Sequence, residues 1–160
     1  MTESAPSLPT RGSCQCGNVR YVIRGAPVLT LVCHCRDCQK LSASAFSPTV
    51  VYRRAEISFE GELATYEGRA DSGKRKVACF CPHCGNRIYH VDPEAPETIR
   101  LKGGTLDGGP IPEPQVHVWT ARKQPWVEIP ANLPQFPGNA ENLGAVLRAR
   151  RAKNGAESGR

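Results

Sequence analysis

Hydrophobic residues along the chain occur mostly in short runs, and several of these runs alternate with polar residues at a period of two, as in β-strands. Residues 19–24 alternate in this way, residues 27–32 form a short apolar run, and residues 47–52 are rich in β-branched side chains. Further strands are predicted at residues 57–60, 64–67, 76–80, 87–90, 98–102 and 115–120. Glycines mark turns between them. The pattern predicts a mainly β fold.

Helical patterns are scarce, and the 14 prolines of the chain argue against long helices. Residues 141–151 have the composition of a helix, which Asn139 can cap at its start. A glycine- and proline-rich loop separates the last two predicted strands, at residues 103–114. We therefore divide the chain into a flexible leader (1–11), one domain (12–137), and a short helix with a basic tail (138–160).

Eight cysteines fall into three tight groups, and this spacing is typical of metal ligands. The groups are Cys14-x-Cys16, Cys33-x-Cys35-x-x-Cys38 and Cys79-x-Cys81-x-x-Cys84. A disulfide framework is the alternative, but the N-terminal residues show no secretion signal, and thiols in a reducing compartment hold metal more often than they pair. The sequence thus favours a zinc protein of the cytoplasm.

Charge and hydropathy exclude some classes of function. The formal net charge is +6, but arginines and lysines crowd the C-terminal residues after 147, which leaves the rest of the chain closer to neutral. We expect a solvated tail there. The core has no basic stripe with interleaved aromatic residues, so nucleic-acid binding is not expected. No apolar run is long enough for a membrane span.

An ordered set of motifs resembles one family. The motifs are GSCQCGNV (12–19), CHCRDCQK (33–40), SAF (44–46), FCPHCG (80–85), PW (125–126) and LPQF (133–136). In this order they resemble the glutathione-dependent formaldehyde-activating enzyme family, from about residue 12 to residue 137. A single Cys-x-x-Cys motif is a weak signal, whereas this ordered set is highly specific.

The resemblance implies a β-tent fold, in which antiparallel sheets surround two zinc ions per chain. It also implies how the ligands divide between the two sites. One structural zinc would be held by Cys14, Cys16, Cys81 and Cys84. The second zinc would be held by Cys33, Cys35 and Cys38, with one coordination position open, which is the mark of a catalytic zinc site.

The implied activity is that of a carbon–sulfur lyase similar to S-(hydroxymethyl)glutathione synthase, which adds glutathione thiolate to formaldehyde or a related aldehyde. Zinc favours the thiolate form of a bound sulfur, and the thiolate is the nucleophile. Glutathione carries two carboxylates, so its pocket should offer cations. Four candidates lie beside the cysteine groups: Arg36, Lys40, Lys74 and Arg75.

Cys79 is an eighth cysteine, one more than the two implied sites need. On a strand it points to the same side as Cys81, so it can approach either metal. If it fills the open position, the chain is a non-catalytic, zinc-stabilised binding module, which is the alternative function. As a third possibility Cys79 is a buried or redox-active thiol, and its apolar neighbours disfavour a free thiolate. The same alternation along an extended segment turns His34 away from Cys33 and Cys35.

Overall fold

The computed structural model describes residues 8–140 together with Gly144 and Arg148, and it confirms the predicted mainly β fold. One α-helix, α1 (Arg36–Ser42), and three short 3-10 turns interrupt the strands of this part of the chain. The strands are β1 (Thr10–Ser13), β2 (Arg20–Ile23), β3 (Leu29–Cys33), β4 (Ser47–Arg53), β5 (Ile57–Glu60), β6 (Ala64–Arg69), β7 (Arg75–Phe80), β8 (Arg87–Asp92), β9 (Ala95–Lys102), β10 (Val116–Val118) and β11 (Gln135–Phe136).

The strands form two sheets. The smaller sheet has the order β1-β2-β5, and the larger has the order β11-β10-β3-β4-β9-β8-β7-β6. Most pairs are antiparallel, as the resemblance implied, but β10 runs parallel to both β3 and β11. A parallel neighbour needs a long crossover. The chain from the 3-10 turn Gly103–Thr105 to β10 provides one, since it returns along the domain before joining β3.

The larger sheet has a cluster of buried residues on each of its faces. On one face, Val50, Tyr52 and Leu101 pack with Tyr21 and Ile23 of the smaller sheet. On the other face a second cluster of buried residues contains all the cysteines of the Cys33-x-Cys35-x-x-Cys38 group, together with Leu29, Val116 and Val118. The register of one sheet therefore decides which side chains meet the candidate metal ligands.

Helix α1 was not predicted, because seven residues are too few to display a helical period. Its start is fixed by Cys35, whose side chain accepts a hydrogen bond from the backbone N–H of Cys38. Its end is fixed by Ala43 in the left-handed conformation, with φ of 48°. The predicted helix at residues 141–151 lies outside the described residues except for Gly144 and Arg148.

Strand β1 begins at Thr10, two residues before the start of the predicted domain. Gly12 within β1 is required sterically, because a Cβ atom there would overlap the ring of Tyr21 and the carbonyl oxygen of Thr105. Among the described residues, every helix is too short or too polar to cross a membrane.

Candidate metal centres

The first candidate metal centre consists of four thiols, those of Cys14, Cys16, Cys81 and Cys84, whose Sγ atoms all lie within 4.8 Å of one another. The Sγ atoms of Cys14 and Cys16 are 3.5 Å apart, and those of Cys16 and Cys81 are 3.7 Å apart. A tetrahedron with metal–sulfur bonds of about 2.3 Å has edges of about 3.8 Å. The four thiols therefore match a closed tetrahedral site.

Two tight turns bring these thiols together. In the first turn, the N–H of Cys14 donates to the carbonyl oxygen of Val19 over 2.9 Å. In the second, the N–H of Cys81 donates to the carbonyl oxygen of Asn86 over 3.0 Å. Gly17 and Gly85 have φ of 79° and 72°, which L-residues rarely adopt. The centre thus ties the β1–β2 turn of the smaller sheet to the β7–β8 turn of the larger one.

The second candidate centre consists of Cys33, Cys35 and Cys38, all buried, whose Sγ atoms also lie within 4.8 Å of one another. Cys33 ends β3, Cys35 caps α1, and Cys38 lies in the first turn of that helix. Within the described part of the chain, no further histidine, cysteine or carboxylate joins this group. Three donors leave a tetrahedral ion one position for another ligand.

Electrostatics favour one thiolate in this group, at Cys35, since the pKa values of Cys33 and Cys38 are raised. Hydrogen bonds with Cys33 and Cys38 lower the pKa of Cys35 to about 3, against the opposing effect of burial. Hydrogen bonds with Cys35 and Cys38 raise the pKa of Cys33. Two buried lysines, Lys76 and Lys102, lie close enough to favour the thiolate forms. A metal ion would add further positive charge where these thiolates form.

Cys79 belongs to neither group. It pairs with Tyr89 across β7 and β8, Tyr89 pairs with Leu101, and Leu101 pairs with Val50. Paired residues share a face of the sheet, and residues an odd number of positions apart on a strand lie on opposite faces. Cys33 pairs with Ser47, three positions before Val50. Val50, and with it Cys79, therefore lies on the face opposite to Cys33. Burial raises the pKa of the Cys79 thiol, against a hydrogen bond with Tyr89. Its position corresponds to the buried thiol considered as a third possibility.

A cavity of about 390 Å³ opens beside the second candidate centre. Cys33, Cys35 and Cys38 line it together with apolar side chains and an unusual number of cations. Trp119, which also lines the cavity, has φ of 58° and donates its indole N–H to Oδ1 of Asn139 over 3.1 Å. Such strain in a bulky residue is found mostly at functional sites. The lining cations are Lys74, Arg75, Lys76, Arg87, Arg100 and Lys102.

The structure separates the four cations that the sequence suggested as glutathione contacts. Lys74 and Arg75 line the cavity, and Arg75 also pairs with Glu67 at 3.3 Å. Arg36 and Lys40 are exposed on α1 and are not among the residues that line the cavity. Nη1 of Arg36 donates instead to Oε1 of Gln39 over 2.9 Å.

Sequence reasoning missed several polar residues of the cavity, among them His90, Arg100 and Lys102. Arg100 and Lys102 stand at alternate positions of a strand, and His90 pairs with Arg100 on the neighbouring strand, so all three share one face. The available signal was two cations at alternate positions beside the apolar residues Ile99 and Leu101 at the end of the strand. Burial, followed by repulsion from Lys102 and Arg100, lowers the pKa of His90 well below its usual value.

His34 lies outside the thiol group, as the alternation of side chains predicted. Its ring is buried, stacks on the ring of His117 and lies 3.0 Å from it, measured from Nε2 to Nδ1. Burial, followed by repulsion from His117 and Lys123, lowers the pKa of His34 to about 4. The histidine pair thus packs behind the cysteines and joins β3 to β10.

Comparison with known proteins identifies a family and similar solved structures. The model of a family described as glutathione-dependent formaldehyde-activating enzyme matches residues 9–122. A crystal structure of a protein from Rhodobacter sphaeroides is similar with a TM-score of 0.49 and 20% sequence identity, covering 62% of this chain and 89% of that chain. No curated protein matches the chain.

Proposed function

The chain belongs to the glutathione-dependent formaldehyde-activating enzyme family, and from this premise we propose that it is a zinc-dependent carbon–sulfur lyase that adds glutathione to formaldehyde or a related aldehyde. One observation carries the proposal. Three buried thiols, which can hold a metal ion with one position left open, face a cavity rich in cations. A thiol substrate with carboxylates needs both features.

Zinc is the metal that fits these donors best. Thiolate ligands in a tetrahedral arrangement select zinc or iron–sulfur clusters, and zinc needs no redox partner for this reaction. We assign a structural zinc to Cys14, Cys16, Cys81 and Cys84, since this group joins the two sheets. We assign a second zinc to Cys33, Cys35 and Cys38. When bound there, zinc would supply an acceptor for the glutathione sulfur and favour its thiolate form.

The reaction changes no oxidation state. A lone pair of the glutathione sulfur forms a bond to the carbonyl carbon of the aldehyde, while the π electrons of the C=O bond move to oxygen. The thiol proton is transferred to that oxygen, giving a hydroxymethyl thioether. The lining cations bind and orient the anionic thiol, and Trp119 with Leu31 and Leu41 limits the access of water.

The alternative function, a non-catalytic binding module, depends on Cys79 closing the second site. The location of Cys79 on the opposite face of the sheet supports the catalytic proposal instead. None of the eight cysteines forms a disulfide bond. We propose that the protein works in a reducing compartment such as the cytoplasm, where thiols stay reduced.

Exchange spectroscopy tests the proposal, because glutathione and formaldehyde also combine spontaneously. The rate of exchange between free glutathione and its hydroxymethyl adduct is measured by NMR with and without the zinc-loaded protein. We expect the protein to accelerate the exchange. Cys35→Ser should abolish the acceleration, whereas the matched variant Cys79→Ser should retain it. An unchanged exchange rate with fully zinc-loaded protein would contradict the proposal.

A further inference from the structure

Three residues that line the cavity carry buried polar atoms that lack a hydrogen-bond partner among the described residues. These atoms are Oγ1 of Thr49, Nδ1 of His90 and Nη1 of Arg100. Buried polar groups in folded proteins are nearly always hydrogen-bonded, so an exception needs an explanation. Three exceptions around one cavity point to a ligand that satisfies them together.

The charged residues that line the cavity indicate the sign of the ligand's charge. Lys76 pairs with Asp37, Arg75 pairs with Glu67, and Arg87 lies over the rings of Tyr66 and Phe80. These three cations therefore have partners.

Arg100 and Lys102 differ from them. No carboxylate within the described residues pairs with either, and Nζ of Lys102 reaches only Oγ of Ser47, at 3.5 Å. Lys102 is nevertheless buried, with 7% of its surface exposed. In the part of the chain that the structure describes, the only acidic groups that favour its charge are the thiols of Cys33, Cys35 and Cys38, and a metal ion bound to them would take up their negative charge.

The acidic residues of the cavity are engaged elsewhere. Asp37 pairs with Lys76, Asp71 accepts the backbone N–H of Arg36 over 3.1 Å, and Asp92 accepts the backbone N–H of Glu94 over 2.9 Å. None of them neutralises Arg100 or Lys102. Within the described residues, no carboxylate of the cavity therefore balances the charge of Arg100 or Lys102.

The register of the sheet places the unpartnered groups side by side. Thr49 of β4 pairs with Lys102 of β9, and Arg100 of β9 pairs with His90 of β8. Arg100 and Lys102 are two positions apart on one strand, so their side chains stand on the same face. Cys33, on β3, shares this face, because it pairs with Ser47, two positions before Thr49. The patch is built on three adjacent strands of rigid sheet.

We propose that Thr49, His90, Arg100 and Lys102 form a carboxylate-binding subsite in the floor of the cavity, next to the Cys33–Cys35–Cys38 group. A guanidinium and an ammonium on one surface suit an oxyanion, and hydroxyl and imidazole groups complete its hydrogen bonds. The cavity has the size of small-molecule sites, about 300–1,000 Å³. The subsite would select substrates that carry a carboxylate at a fixed distance from the reacting atoms.

This inference rests on the proposed function in one respect, the source of the carboxylate. In the lyase reaction, the thiol or the aldehyde can carry it. With glutathione and formaldehyde only the thiol has carboxylates, whereas a 2-oxo acid such as glyoxylate would bring one on the carbonyl side. The subsite itself requires only the carboxylate, so binding and turnover can test the two ideas separately.

Calorimetry on the zinc-loaded protein tests the subsite with three probes: glutathione, its diethyl ester, which has no free carboxylate, and S-methylglutathione, which has no free thiol. A charge-assisted contact is worth tenfold or more in affinity, so we expect Arg100→Gln to weaken glutathione and S-methylglutathione by at least about tenfold. The diester should bind the native protein as weakly as glutathione binds the Arg100→Gln variant. The substitution should not change the affinity for the diester. Arg100→Lys should restore part of the affinity.

Arg53→Gln is the matched control, because Arg53 is an exposed arginine of β4 that does not line the cavity. It should leave all affinities unchanged. Circular dichroism and zinc content confirm that each variant is folded and loaded. If the carboxylate comes from the aldehyde, Arg100→Gln should instead raise KM for glyoxylate about tenfold and leave KM for formaldehyde unchanged, which also supports the subsite.

The two ideas fail in different ways. Equal affinities for glutathione and its diester, with no effect of Arg100→Gln on any affinity or KM, would overturn the subsite and leave the lyase activity standing. Binding of S-methylglutathione that depends on Arg100, without any acceleration of adduct exchange, would support the subsite and overturn the proposed function.

Discussion

Single residues decide how many thiols are available to the second candidate centre. Cys79 follows the same spacing as Cys33 within its group, yet it stands on the opposite face of the sheet and is 4% exposed. Its hydrogen bond with Tyr89 belongs to the packing between the sheets. The chemistry of the Cys33–Cys35–Cys38 group therefore depends on its own three thiols and on the groups of the cavity.

We predict that Cys79→Ser retains the metal content of the native protein. The substitution should lower the free energy of unfolding by about 1–2 kcal/mol, because a buried thiol is replaced by a more polar hydroxyl. Metal analysis and urea denaturation measure the two effects. Cys33→Ser serves as the comparison and should lose one metal ion. Loss of one metal equivalent in Cys79→Ser would show that Cys79 is a ligand after all.

His90 should make stability depend on pH. Burial and the nearby cations lower its pKa well below 6.5, the value of the unfolded chain, so below about 6.5 the unfolded chain binds a proton that the folded protein does not. Neutral His90 makes its full contribution to the free energy of unfolding above that pH. As the pH falls below it, the free energy of unfolding decreases by at most about 1.4 kcal/mol per pH unit.

Urea denaturation at about pH 7.5 and pH 5.5 measures this contribution. The native protein should lose more stability between the two values than His90→Gln, since glutamine does not titrate. His83→Gln, at an exposed position, is the control and should behave like the native protein. The same loss in the native protein and in His90→Gln would assign the acid sensitivity to other groups.

The sequence identifies candidate ligands more easily than the side chains around them. Ligand spacing is local, so Cys81 and Cys84 or Cys35 and Cys38 are recognisable without knowledge of the fold. His90 and Arg100 meet only through the pairing of β8 with β9, and this register depends on the whole sheet. Arg36 and Lys40, although close to the cysteines in sequence, lie on the exposed side of α1.

At the scale of elements, α1 shows how a short helix escapes prediction. The helix contains Cys38, and the residue that caps its start is Cys35. This short element therefore positions two of the three thiols of the second candidate centre. The strands were easier to predict, because alternation over four to six residues is already a clear pattern. The same Cys-x-x-Cys spacing forms a turn at Cys81 and Cys84 but begins a helix at Cys35 and Cys38.

The end of α1 can be stabilised. Ala43 adopts φ of 48° and is exposed, so it carries left-handed strain without contributing much packing. Ala43→Gly should raise the free energy of unfolding by about 0.5–1 kcal/mol. Thermal or urea denaturation measures the change. Ala121→Gly, at an exposed position without a positive φ, is the control and should lower stability slightly. A loss of stability in Ala43→Gly would refute the strain argument.

At the scale of the whole molecule, the two candidate centres differ in what they connect. The four-cysteine group joins the smaller sheet to the β7–β8 turn of the larger one, whereas the three-cysteine group connects β3 only to the helix that follows it. The mainly β fold was predictable from local patterns. The parallel position of β10 was not, because a long loop precedes the strand and leaves its partner undetermined by neighbouring residues.

This difference predicts different consequences for the loss of one ligand. A structural zinc contributes on the order of 10 kcal/mol to folding, which is comparable to the whole stability of a domain of about 5–15 kcal/mol. Cys84→Ser should therefore leave the two sheets without their connection and yield a largely unfolded protein. Cys35→Ser should lose the second metal ion and the thiol addition activity but remain folded, because both sheets and the first centre are intact.

Circular dichroism, limited proteolysis and metal analysis of the two variants separate these outcomes. Cys35→Ser should give a spectrum like that of the native protein with one metal equivalent, and a chelator should then unfold it as the remaining ion is removed. In the native protein, the same chelator should first release the ion of the three-cysteine group without unfolding, since three ligands hold it less tightly than four. Equal loss of structure in Cys35→Ser and Cys84→Ser would mean that both centres hold the fold together, and that the second one is not free to exchange its fourth ligand for a substrate thiol.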